Sequence, residues 1–508
     1  MLLHQLFEHT ARRTPHKLAL VFEGRRCTYG ELDRMASHLA RALQSRGVRR
    51  GDRVTLFLDN TVEAVAGIFA ALKCGAVMMP VNPLTRADKL AYLLNDSGAS
   101  ALLTQTELGG AYRDALARNT TVHTCFVASH GAATDRDARS LPFPDLDGSG
   151  IPDDPQAIDQ DLAAIIYTSG STGEPKGVML THLNMVSAAT SVSTYLGIRS
   201  DDVILCALPL AFDYGLYQIL MGFQHGATVV LERSFAFPVR VVETMSREGV
   251  TVFPGVPTMF SLLMNMTSLR ERNLSALRAI TNTAAALPEA HIRDLRALFP
   301  QAKLFSMYGL TECKRVTYLP PEQLDIRPTS VGRGMPNEEV WLVDDAGRRL
   351  PNGGQGELVI RGSNVMRGYW RKSDETLNKL RPGPIPGEMI LYSGDIFRTD
   401  AEGYLYFVAR KDDIIKSRGE KVSPREVENA LYGMPEVLDA AVIGVPDPVL
   451  GEAVKAFVKL KPGASLSERE VIKYCMSKLE SFMAPKHVVF VDDLPKTDTG
   501  KIRKTGLS

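Results

Sequence analysis

The feature that most constrains the fold of this chain is a repeated alternation of helix-like and strand-like segments over roughly its first 400 residues. Glu31 to Arg46 places apolar residues at helical spacing, and the short apolar run Arg53 to Leu58 that follows is typical of a buried strand. The alternation continues with a helical pattern over 62–72 and strand-like runs at 99–104 and 228–231. It predicts an α/β architecture with largely parallel sheets flanked by helices.

A change of pattern near residue 412 predicts a second, smaller domain. A strand-like segment at 404–408 is followed by the charged run Arg410–Asp413, after which the pattern restarts with a helix, two strands and another helix between 425 and 479. At 508 residues the chain is also too long for one ordinary core. We therefore expect a large α/β domain at 1–411 and a small α+β domain at 412–508.

Composition and charge argue against several classes of protein. The formal net charge is +1 and no long block of lysine and arginine occurs, so no binding of nucleic acid is expected. The six cysteines form neither a CxxC pair nor a zinc-like spacing with histidine, which is typical of reduced thiols. The most apolar stretch, Val62 to Val81, is interrupted by charged residues, glycines and a proline, and the first residues lack the order of a signal peptide. We expect a cytoplasmic protein without a membrane span.

The segment Tyr167–Gly177 has the composition of a phosphate-binding loop. It follows the apolar run Leu162–Ile166 and contains three glycines, four Ser and Thr hydroxyls and Lys176. Glycines allow a tight turn with inward N–H groups, hydroxyls add donors and the lysine adds charge, which together suit a polyphosphate. The segment has neither the GKS or GKT of a Walker loop nor the G-x-G-x-x-G of dinucleotide-binding proteins. An ordinary Ser/Gly turn is the alternative.

This segment resembles the signature of the adenylate-forming (AMP-binding) superfamily, which includes acyl-CoA synthetases, amino-acid adenylation domains and luciferases. Further motifs of that superfamily occur in the same order, so the resemblance covers nearly the whole chain. It implies an acyl-CoA-synthetase-like fold and a ligase that joins a carboxylic acid to a thiol through an acyl-adenylate made from ATP. The loop residues that this resemblance assigns to ATP are Thr168, Ser169, Gly170, Ser171, Thr172, Gly173 and Lys176.

The sequence YGLTE at 308–312 resembles the second core motif of the superfamily. The resemblance implies that the ring of Tyr308 stacks on adenine, that Thr311 contacts the α-phosphate and that Glu312 holds Mg²⁺. An aromatic face suits a purine, and a carboxylate suits a hard cation. Taken alone, such a segment is also compatible with a plain strand-to-turn connection.

Two further residues are expected at the ribose. Asp395 ends the sequence YSGD, which resembles the motif whose aspartate accepts both ribose hydroxyls, and a carboxylate has two oxygens for two donors. Arg410 stands where the superfamily places a ribose-contacting arginine, although the glycine that usually precedes it is Ala409 here.

Three positions of the predicted small domain have roles implied by the resemblance. Asp412 matches the hinge between the two domains, and Gly419 lies in a segment that either approaches the thiol substrate or forms an exposed turn. Lys501 ends the sequence PKTDTGK, which resembles the motif whose last lysine bridges the substrate carboxylate and the ATP phosphate. Rotation about the hinge would deliver this lysine for adenylation and withdraw it for thiol attack.

Two segments bear on which acid is bound. The pair Phe212-Asp213 resembles that of amino-acid-activating domains, whose aspartate binds the substrate ammonium; alternatively, Asp213 caps a helix that begins at the next residue. Asn282, Thr283 and Ala284 resemble the strand and loop that line the acyl pocket, where the superfamily often has smaller residues at the first two positions. Larger polar side chains there favour a small or polar acid over a long-chain fatty acid.

The resulting hypothesis is an AMP-forming acid–thiol ligase of the acyl-CoA synthetase type that acts on a small or polar acid. A stand-alone amino-acid-activating enzyme that loads a carrier protein is the first alternative, and a luciferase-like oxygenase is a remoter one. ATP and Mg²⁺ are expected, and the acceptor is coenzyme A or carrier-protein phosphopantetheine, because both present the same thiol arm. Lys314 and Arg315, close after Glu312, add positive charge to which the sequence alone assigns no role.

Overall fold

The computed structural model describes residues 1–128, 139–144, 148, 150–168, 174–283, 287–417, 420–448, 450–496, 502–504 and 506–507. The side chains at 270, 412, 416 and 421 are not among the parts described. Several predicted site residues therefore lie outside the described residues: Ser169, Gly170, Ser171, Thr172, Gly173, Ala284, Gly419 and Lys501.

The described residues form helices and strands whose bounds are as follows. The helices are α1 Gln5–Arg13, α2 Tyr29–Ser45, α3 Val62–Lys73, α4 Ala87–Ser97, α5 Gly109–Ala117, α6 His182–Leu196, α7 Asp213–His225, α8 Pro238–Glu248, α9 Pro257–Met264, α10 Glu289–Leu298, α11 Ser373–Lys379, α12 Pro424–Tyr432 and α13 Glu468–Lys478. The strands are β1 Leu18–Phe22, β2 Arg25–Thr28, β3 Arg53–Phe57, β4 Val77–Pro80, β5 Ala101–Gln105, β6 Thr124–Ala128, β7 Ser140–Pro142, β8 Leu162–Thr168, β9 Lys176–Thr181, β10 Val203–Cys206, β11 Thr228–Leu231, β12 Val252–Gly255, β13 Ala279–Asn282, β14 Lys303–Tyr308, β15 Thr317–Leu319, β16 Arg333–Gly334, β17 Glu338–Val343, β18 Gln355–Gly362, β19 Gly368–Tyr369, β20 Leu380–Pro382, β21 Met389–Thr399, β22 Leu405–Arg410, β23 Ile415–Ser417, β24 Glu420–Val422, β25 Val437–Asp447, β26 Gly451–Leu460 and β27 His487–Phe490.

Two large sheets carry most of the chain, and both are largely parallel, as the alternation predicts. The nine-stranded sheet has the order β16-β15-β14-β13-β12-β10-β11-β1-β2, with parallel pairing from β14 through to β1. The eight-stranded sheet has the order β19-β9-β8-β4-β3-β5-β6-β7, with parallel pairing from β8 to β7. A smaller antiparallel sheet contains β17, β18, β20, β21 and β22.

One hydrophobic core joins the two large sheets. It contains apolar residues from strands of both sheets, together with residues of α2, α3, α6 and α7. Within α3 every residue except Glu63 is buried, as expected for a helix that is apolar around its whole circumference. The predicted buried helix followed by a strand is thus confirmed, since β4 begins at Val77. Among the described residues, every helix is too short or too polar to traverse a bilayer.

The C-terminal segments form a separate sheet with its own small core. Strands β23 to β27 carry α12 and α13, whose apolar residues share one cluster with those strands. Ser423 Oγ donates to the carbonyl oxygen of Val408 at 2.5 Å, and the guanidinium of Arg425 lies 5.3 Å from the ring centre of Phe407, so this unit contacts β22 directly. Strand β22 ends at Arg410 and β23 begins at Ile415. The exact boundary at 411/412 stays a prediction.

Lys73 is a buried cation at the end of α3. Its side chain is 5% exposed, and its Nζ lies 2.5 Å from Glu8 Oε1 and 2.8 Å from Asp33 Oδ1. A buried ammonium is costly unless it is paired. Removing it takes the cation from Asp33, which is 29% exposed, and leaves Glu8 with the exposed Arg12 at 3.2 Å. This triad therefore ties α1, α2 and α3 together around one charge.

We expect Lys73→Met to lower the free energy of unfolding by about 3 kcal/mol, because it removes the buried cation that lies between Glu8 and Asp33 and leaves only the exposed Arg12 beside Glu8. Lys303→Met is the matched control: Lys303 and its partner Glu322 are both mostly exposed, and a surface pair contributes within about 1 kcal/mol. Thermal unfolding followed by circular dichroism compares the two variants. Equal midpoints for both would contradict a stabilising role for the Lys73 triad.

Candidate active site

The predicted phosphate loop connects two strands of the eight-stranded sheet. Strands β8 and β9 pair antiparallel, with Thr168 directly opposite Lys176, so the two residues that flank positions 169–175 in the sequence are neighbours in the sheet. Strand β19 pairs with β9 on its other side and places Tyr369 opposite Val178. Thr168 and Lys176 are half-buried. Strand β9, which begins at Lys176, thus lies between β8 and a short strand that the sequence alone did not single out.

Tyr369 links the phosphate-loop strand to the YGLTE turn. Its hydroxyl donates to Glu312 Oε1 at 2.6 Å, and Lys176 Nζ lies 5.8 Å from the centre of its ring. The backbone N–H of Met366 donates to the carbonyl oxygen of Glu312 at 2.7 Å. Burial first, and then the charge of Glu312, raise the pKa of the Tyr369 phenol, so the phenol stays a proton donor. This one side chain positions the predicted metal-binding carboxylate beside the predicted phosphate lysine.

A second tyrosine–carboxylate pair lies at the predicted nucleoside position. Tyr308, the last residue of β14, donates its hydroxyl to Asp395 Oδ2 at 2.5 Å, and burial and the Asp395 charge raise the pKa of its phenol well above the ordinary value. Its ring packs edge-on against Phe397 with centroids 4.8 Å apart. Asp395 is 6% exposed and sits opposite Arg410 in the β21–β22 pair, with Arg410 Nε 4.0 Å from Asp395 Oδ1. Three predicted nucleotide residues therefore meet at one place.

The turn after β14 is held by close backbone packing. A Cβ at Gly309 would lie 2.5 Å from the carbonyl oxygen of Lys314, so only glycine lets the chain fold back here. The side-chain amide of Asn364 donates to the carbonyl oxygens of Cys313 at 2.7 Å and Arg315 at 3.2 Å. Thr311 lies half-buried in this turn, one residue before Glu312. The strand-to-turn reading of YGLTE is therefore correct as geometry, and the turn also carries the predicted site residues.

Asp213 pairs with a lysine of the chain itself. Its Oδ2 lies 3.6 Å from Nζ of Lys314, which is 2% exposed. Helix α7 begins at Asp213, its N-cap residue is Phe212, and no side chain caps it, so the expectation that Asp213 caps a helix starting at Tyr214 is wrong. Instead, Asp213 occupies the first turn, where the helix dipole favours a carboxylate. Burial lowers the pKa of the Lys314 ammonium to about 7, and the Asp213 charge counteracts that lowering.

The predicted pocket-lining residues at the end of β13 are buried. Asn282 is 1% exposed and Thr283 is 4% exposed, and Asn282 lies between Gly255 of β12 and Ser306 of β14 in the sheet register. Tyr214 donates its hydroxyl to the carbonyl oxygen of Thr281 at 2.7 Å. This bond brings the first turn of α7, and with it Asp213, against the end of β13.

Two of the small-domain predictions can be located only in part. Asp412 lies in a short 3₁₀ turn, Lys411–Asp413, directly after β22. Lys496 and Ile502 form an isolated β-bridge on either side of the segment that contains Lys501, and Lys496 Nζ pairs with Asp439 at 3.0 Å. Among the described residues, no group of three or more His, Cys, Asp or Glu side chains that could hold a metal ion occurs.

The comparisons with known proteins identify the family. Residues 7–370 match the family model described as AMP-binding enzyme, and residues 426–501 match the one described as AMP-binding enzyme C-terminal domain. The chain therefore belongs to the AMP-binding enzyme family, and its resemblance to the adenylate-forming superfamily is confirmed.

Relatives cover nearly the full length of this chain. A feruloyl-CoA synthase from Amycolatopsis sp is 36% identical, with 97% of this chain and 96% of the relative covered. An indoleacetate–CoA ligase from Aromatoleum aromaticum is 32% identical, with 99% and 97% covered. Among solved structures, an anthranilate CoA ligase in complex with anthranoyl-AMP superposes with a TM-score of 0.89 at 28% identity, covering 99% of this chain and 95% of that one. The ATP-bound MatB from Rhodopseudomonas palustris has a TM-score of 0.88 at 30% identity, with 99% and 98% covered.

The structure adds residues that sequence reasoning missed. Tyr369 contacts Glu312 across 57 positions of sequence, and only its place in an aromatic Gly-Tyr-Trp segment hinted at a role. Lys314 and Arg315 were recognised as charges without a function, and the structure places Lys314 beside Asp213. Segment 308–315 thus contains Tyr308, Thr311 and Glu312 together with Lys314, the partner of Asp213.

We expect Tyr369→Phe to lower the rate of ATP–pyrophosphate exchange about tenfold, because a hydrogen bond to a charged group contributes about 1.5–3 kcal/mol and its loss lets the Glu312 carboxylate rotate. The phenyl ring keeps the packing beneath Lys176. Tyr406→Phe is the matched control, since that hydroxyl also donates to a carboxylate, Asp400, at 3.3 Å but away from the cleft. If both variants exchange pyrophosphate at the wild-type rate, Tyr369 does not position Glu312.

Proposed function

We propose that this protein is an ATP-dependent carboxylic acid–CoA ligase that activates a small or polar acid as its acyl-adenylate. The observation that carries the proposal is the convergence of the β8–β9 strand ends, the YGLTE turn and the Asp395–Arg410 pair around Tyr369 and Tyr308. Relatives that are named feruloyl-CoA synthase, 4-coumarate–CoA ligase and indoleacetate–CoA ligase support the reaction class.

The first half-reaction needs positioning more than acid–base chemistry. One carboxylate oxygen of the acid attacks the α-phosphorus of ATP, the bond from that phosphorus to the bridging oxygen breaks, and pyrophosphate leaves with its electron pair. Lys176 and the hydroxyls of the 168–173 segment would neutralise the phosphates, and Thr311 would donate to the α-phosphate. Preorganised donors of this kind act where charge develops and require no proton transfer.

Mg²⁺ fits the donor set at Glu312. Mg²⁺ is commonly held by one or two carboxylates together with substrate phosphates and waters, so a single described carboxylate suffices. Bound there, the ion would offset the negative charge of the phosphates. Glu312 is already oriented by the Tyr369 hydroxyl, which uses only one of its two oxygens.

The nucleoside would be held at the second tyrosine–carboxylate pair. The Tyr308 ring offers a face for adenine, and Asp395 offers two oxygens for the ribose hydroxyls. Arg410 is 67% exposed at its side chain, so it can close over a bound ribose. Ribose binding would exchange the Tyr308–Asp395 hydrogen bond for bonds to the ligand.

The second half-reaction transfers the acyl group to sulfur. The thiolate of coenzyme A attacks the acyl carbon, and AMP leaves with the former carboxylate oxygen. We assign Asp412 to the hinge and Gly419 to the thiol channel, because the small domain follows β22 through this segment. Coenzyme A is favoured over a carrier protein, since the relatives named above are CoA ligases or synthases.

The acid pocket favours an acid without an ammonium group. Asp213 already has a cationic partner in Lys314, so a substrate amine would have to displace that lysine. Asn282 and Thr283 are buried polar residues at the end of β13, which supports the proposal that they line and shorten the acid pocket together with Ala284, a residue outside the described ones. Both features weigh against the amino-acid-activating alternative and against long-chain acids.

We expect pyrophosphate exchange with short or aromatic acids and with no long-chain fatty acid, and AMP rather than ADP as the nucleotide product when coenzyme A is present. A panel of amino acids, short acids, aryl acids and fatty acids tests this, with thioester formation followed by mass spectrometry. Production of ADP would contradict the reaction class. Exchange with long-chain acids alone would contradict the short pocket, and light emission with oxygen would favour the luciferase-like alternative.

We expect Lys501→Ala to raise the activation free energy of adenylate formation by about 3–4 kcal/mol. Thioester formation from a preformed adenylate should be unaffected, because we propose that the lysine charge acts only in the first step. Lys504→Ala is the control, since Lys504 pairs with Glu428 at 2.7 Å within the small domain. The two half-reactions are measured separately by stopped-flow and by adding synthetic acyl-adenylate. Equal loss in both would argue against a role confined to adenylation.

A further inference from the structure

Two consecutive cations lie buried directly after the predicted metal ligand. The side chains of Lys314 and Arg315 are each 2% exposed, and Arg315 is among the largest fully buried side chains of the described residues. Lys314 adopts a left-handed backbone conformation with φ of 66°, which is uncommon for a residue with a side chain. The buried position of this pair is therefore accompanied by an unfavourable backbone conformation at Lys314.

The positive charge of this pair exceeds the negative charge that faces it. In the part of the chain that the structure describes, the one carboxylate oxygen within 4 Å of Lys314 Nζ is Asp213 Oδ2 at 3.6 Å, which is beyond hydrogen-bonding distance. Among the described residues, Arg315 has no ion-pair partner and its Nε has no hydrogen-bond partner. Within ion-pair distance, the described residues therefore place one carboxylate, Asp213, beside two buried basic groups, the Lys314 amine with its lowered pKa and the Arg315 guanidinium. A bound anion would favour the charged form of Lys314 and would offset the buried charge of Arg315.

Aromatic rings supply part of the missing stabilisation. Lys314 Nζ lies 4.4 Å from the ring centre of Tyr217, and the Arg315 guanidinium lies 5.1 Å from that of Tyr214. Ring faces attract cations, but they bear no net charge and cannot neutralise one. The two rings fix the positions of the cations and leave the charge imbalance in place.

The same cluster borders the predicted acid pocket. Tyr214 contacts Arg315 through its ring and Thr281 through its hydroxyl, one residue before Asn282. The side chain of Asp213, in the first turn of α7, is 24% exposed and lies beside the buried Lys314. Asp213 is therefore the member of this cluster through which solvent or a ligand can approach. A ligand that reaches Asp213 and Asn282 comes next to Lys314 and Arg315.

We propose that Lys314 and Arg315 form a subsite for a second anionic group on the acid, so that the preferred substrates are short dicarboxylic acids or aryl acids with a second carboxylate. This inference rests on the proposed function, because it concerns the acid that is adenylated. The second carboxylate accepts from the Lys314 ammonium and the Arg315 guanidinium and supplies the missing negative charge. A substrate ammonium would add a third positive charge, and an apolar end would leave both cations unpaired.

Matched acids that differ only in the distal group test the subsite. One series is glutarate, pentanoate and ω-aminopentanoate, and the other is terephthalate, para-methylbenzoate and para-aminomethylbenzoate, each measured by ATP–pyrophosphate exchange with the wild-type chain. We expect kcat/KM to be at least about tenfold higher for the dicarboxylate than for its methyl-terminated counterpart, and lowest for the ammonium acid. Preference for the methyl-terminated or the ammonium acid would overturn the subsite and leave the ligase assignment intact. Absence of exchange with every acid of the wider panel would instead overturn the proposed function.

The variants Lys314→Met and Arg315→Met test whether these two residues cause the preference for a dicarboxylate over its methyl-terminated counterpart. We expect each to lower kcat/KM for the dicarboxylate about tenfold and to leave the methyl-terminated acid within about twofold, which also shows that the variant is folded. Equal loss for both acids would indicate that the cations serve the reacting carboxylate or the structure, and would overturn the proposal. Arg315→Lys, which keeps the charge, should retain more of the dicarboxylate preference than Arg315→Met. If a variant does not fold, the order of kcat/KM among the matched acids with the wild-type protein still supports or contradicts the subsite.

Discussion

The active cleft depends on one tight backbone contact at the end of β14. Because Gly309 has no side chain, the segment that follows can fold back until the carbonyl of Lys314 would lie 2.5 Å from a Cβ at that position. Asn364 fastens the returning chain through two carbonyl oxygens. Tyr308, Glu312 and Lys314, which we propose to contact the nucleotide, the metal ion and the acid, are then brought together by a single turn. A chain that kept these residue types without that fold-back would disperse them.

Tyrosine hydroxyls orient the carboxylates of Asp395 and Glu312, the proposed ribose and metal ligands, in the absence of substrate. Tyr308 donates to Asp395 and Tyr369 donates to Glu312, each at short distance and each with a phenol that burial keeps protonated. A buried carboxylate without a donor would be costly, so these bonds stabilise the unliganded cleft. They also preorganise it, since ligand atoms can replace the phenol without a large movement of the backbone.

The charges around the proposed acid pocket differ from those at the proposed nucleotide site. At the proposed phosphate site, Lys176 would face a ligand that brings its own negative charge. At the acid end, two buried cations face one carboxylate, and tyrosine rings compensate only in part. An amino-acid pocket would need Asp213 to be available, whereas here the chain itself supplies the ammonium. The excess positive charge of Lys314 and Arg315 over Asp213 would then select the substrate.

The sequence by itself determined the α/β class, the small C-terminal unit and the nucleotide motifs, because hydrophobic periodicity and short motifs are local properties. Predicted strands such as Thr228–Leu231 and helices such as Glu468–Leu479 agree with the structure to within a residue. Only the tertiary structure decided that Tyr369 serves Glu312 and that Asp213 pairs with Lys314, 101 positions later, rather than capping α7. Such pairings depend on how sheets and turns are brought together, and charge balance in a buried site is a property of that assembly and of no single segment.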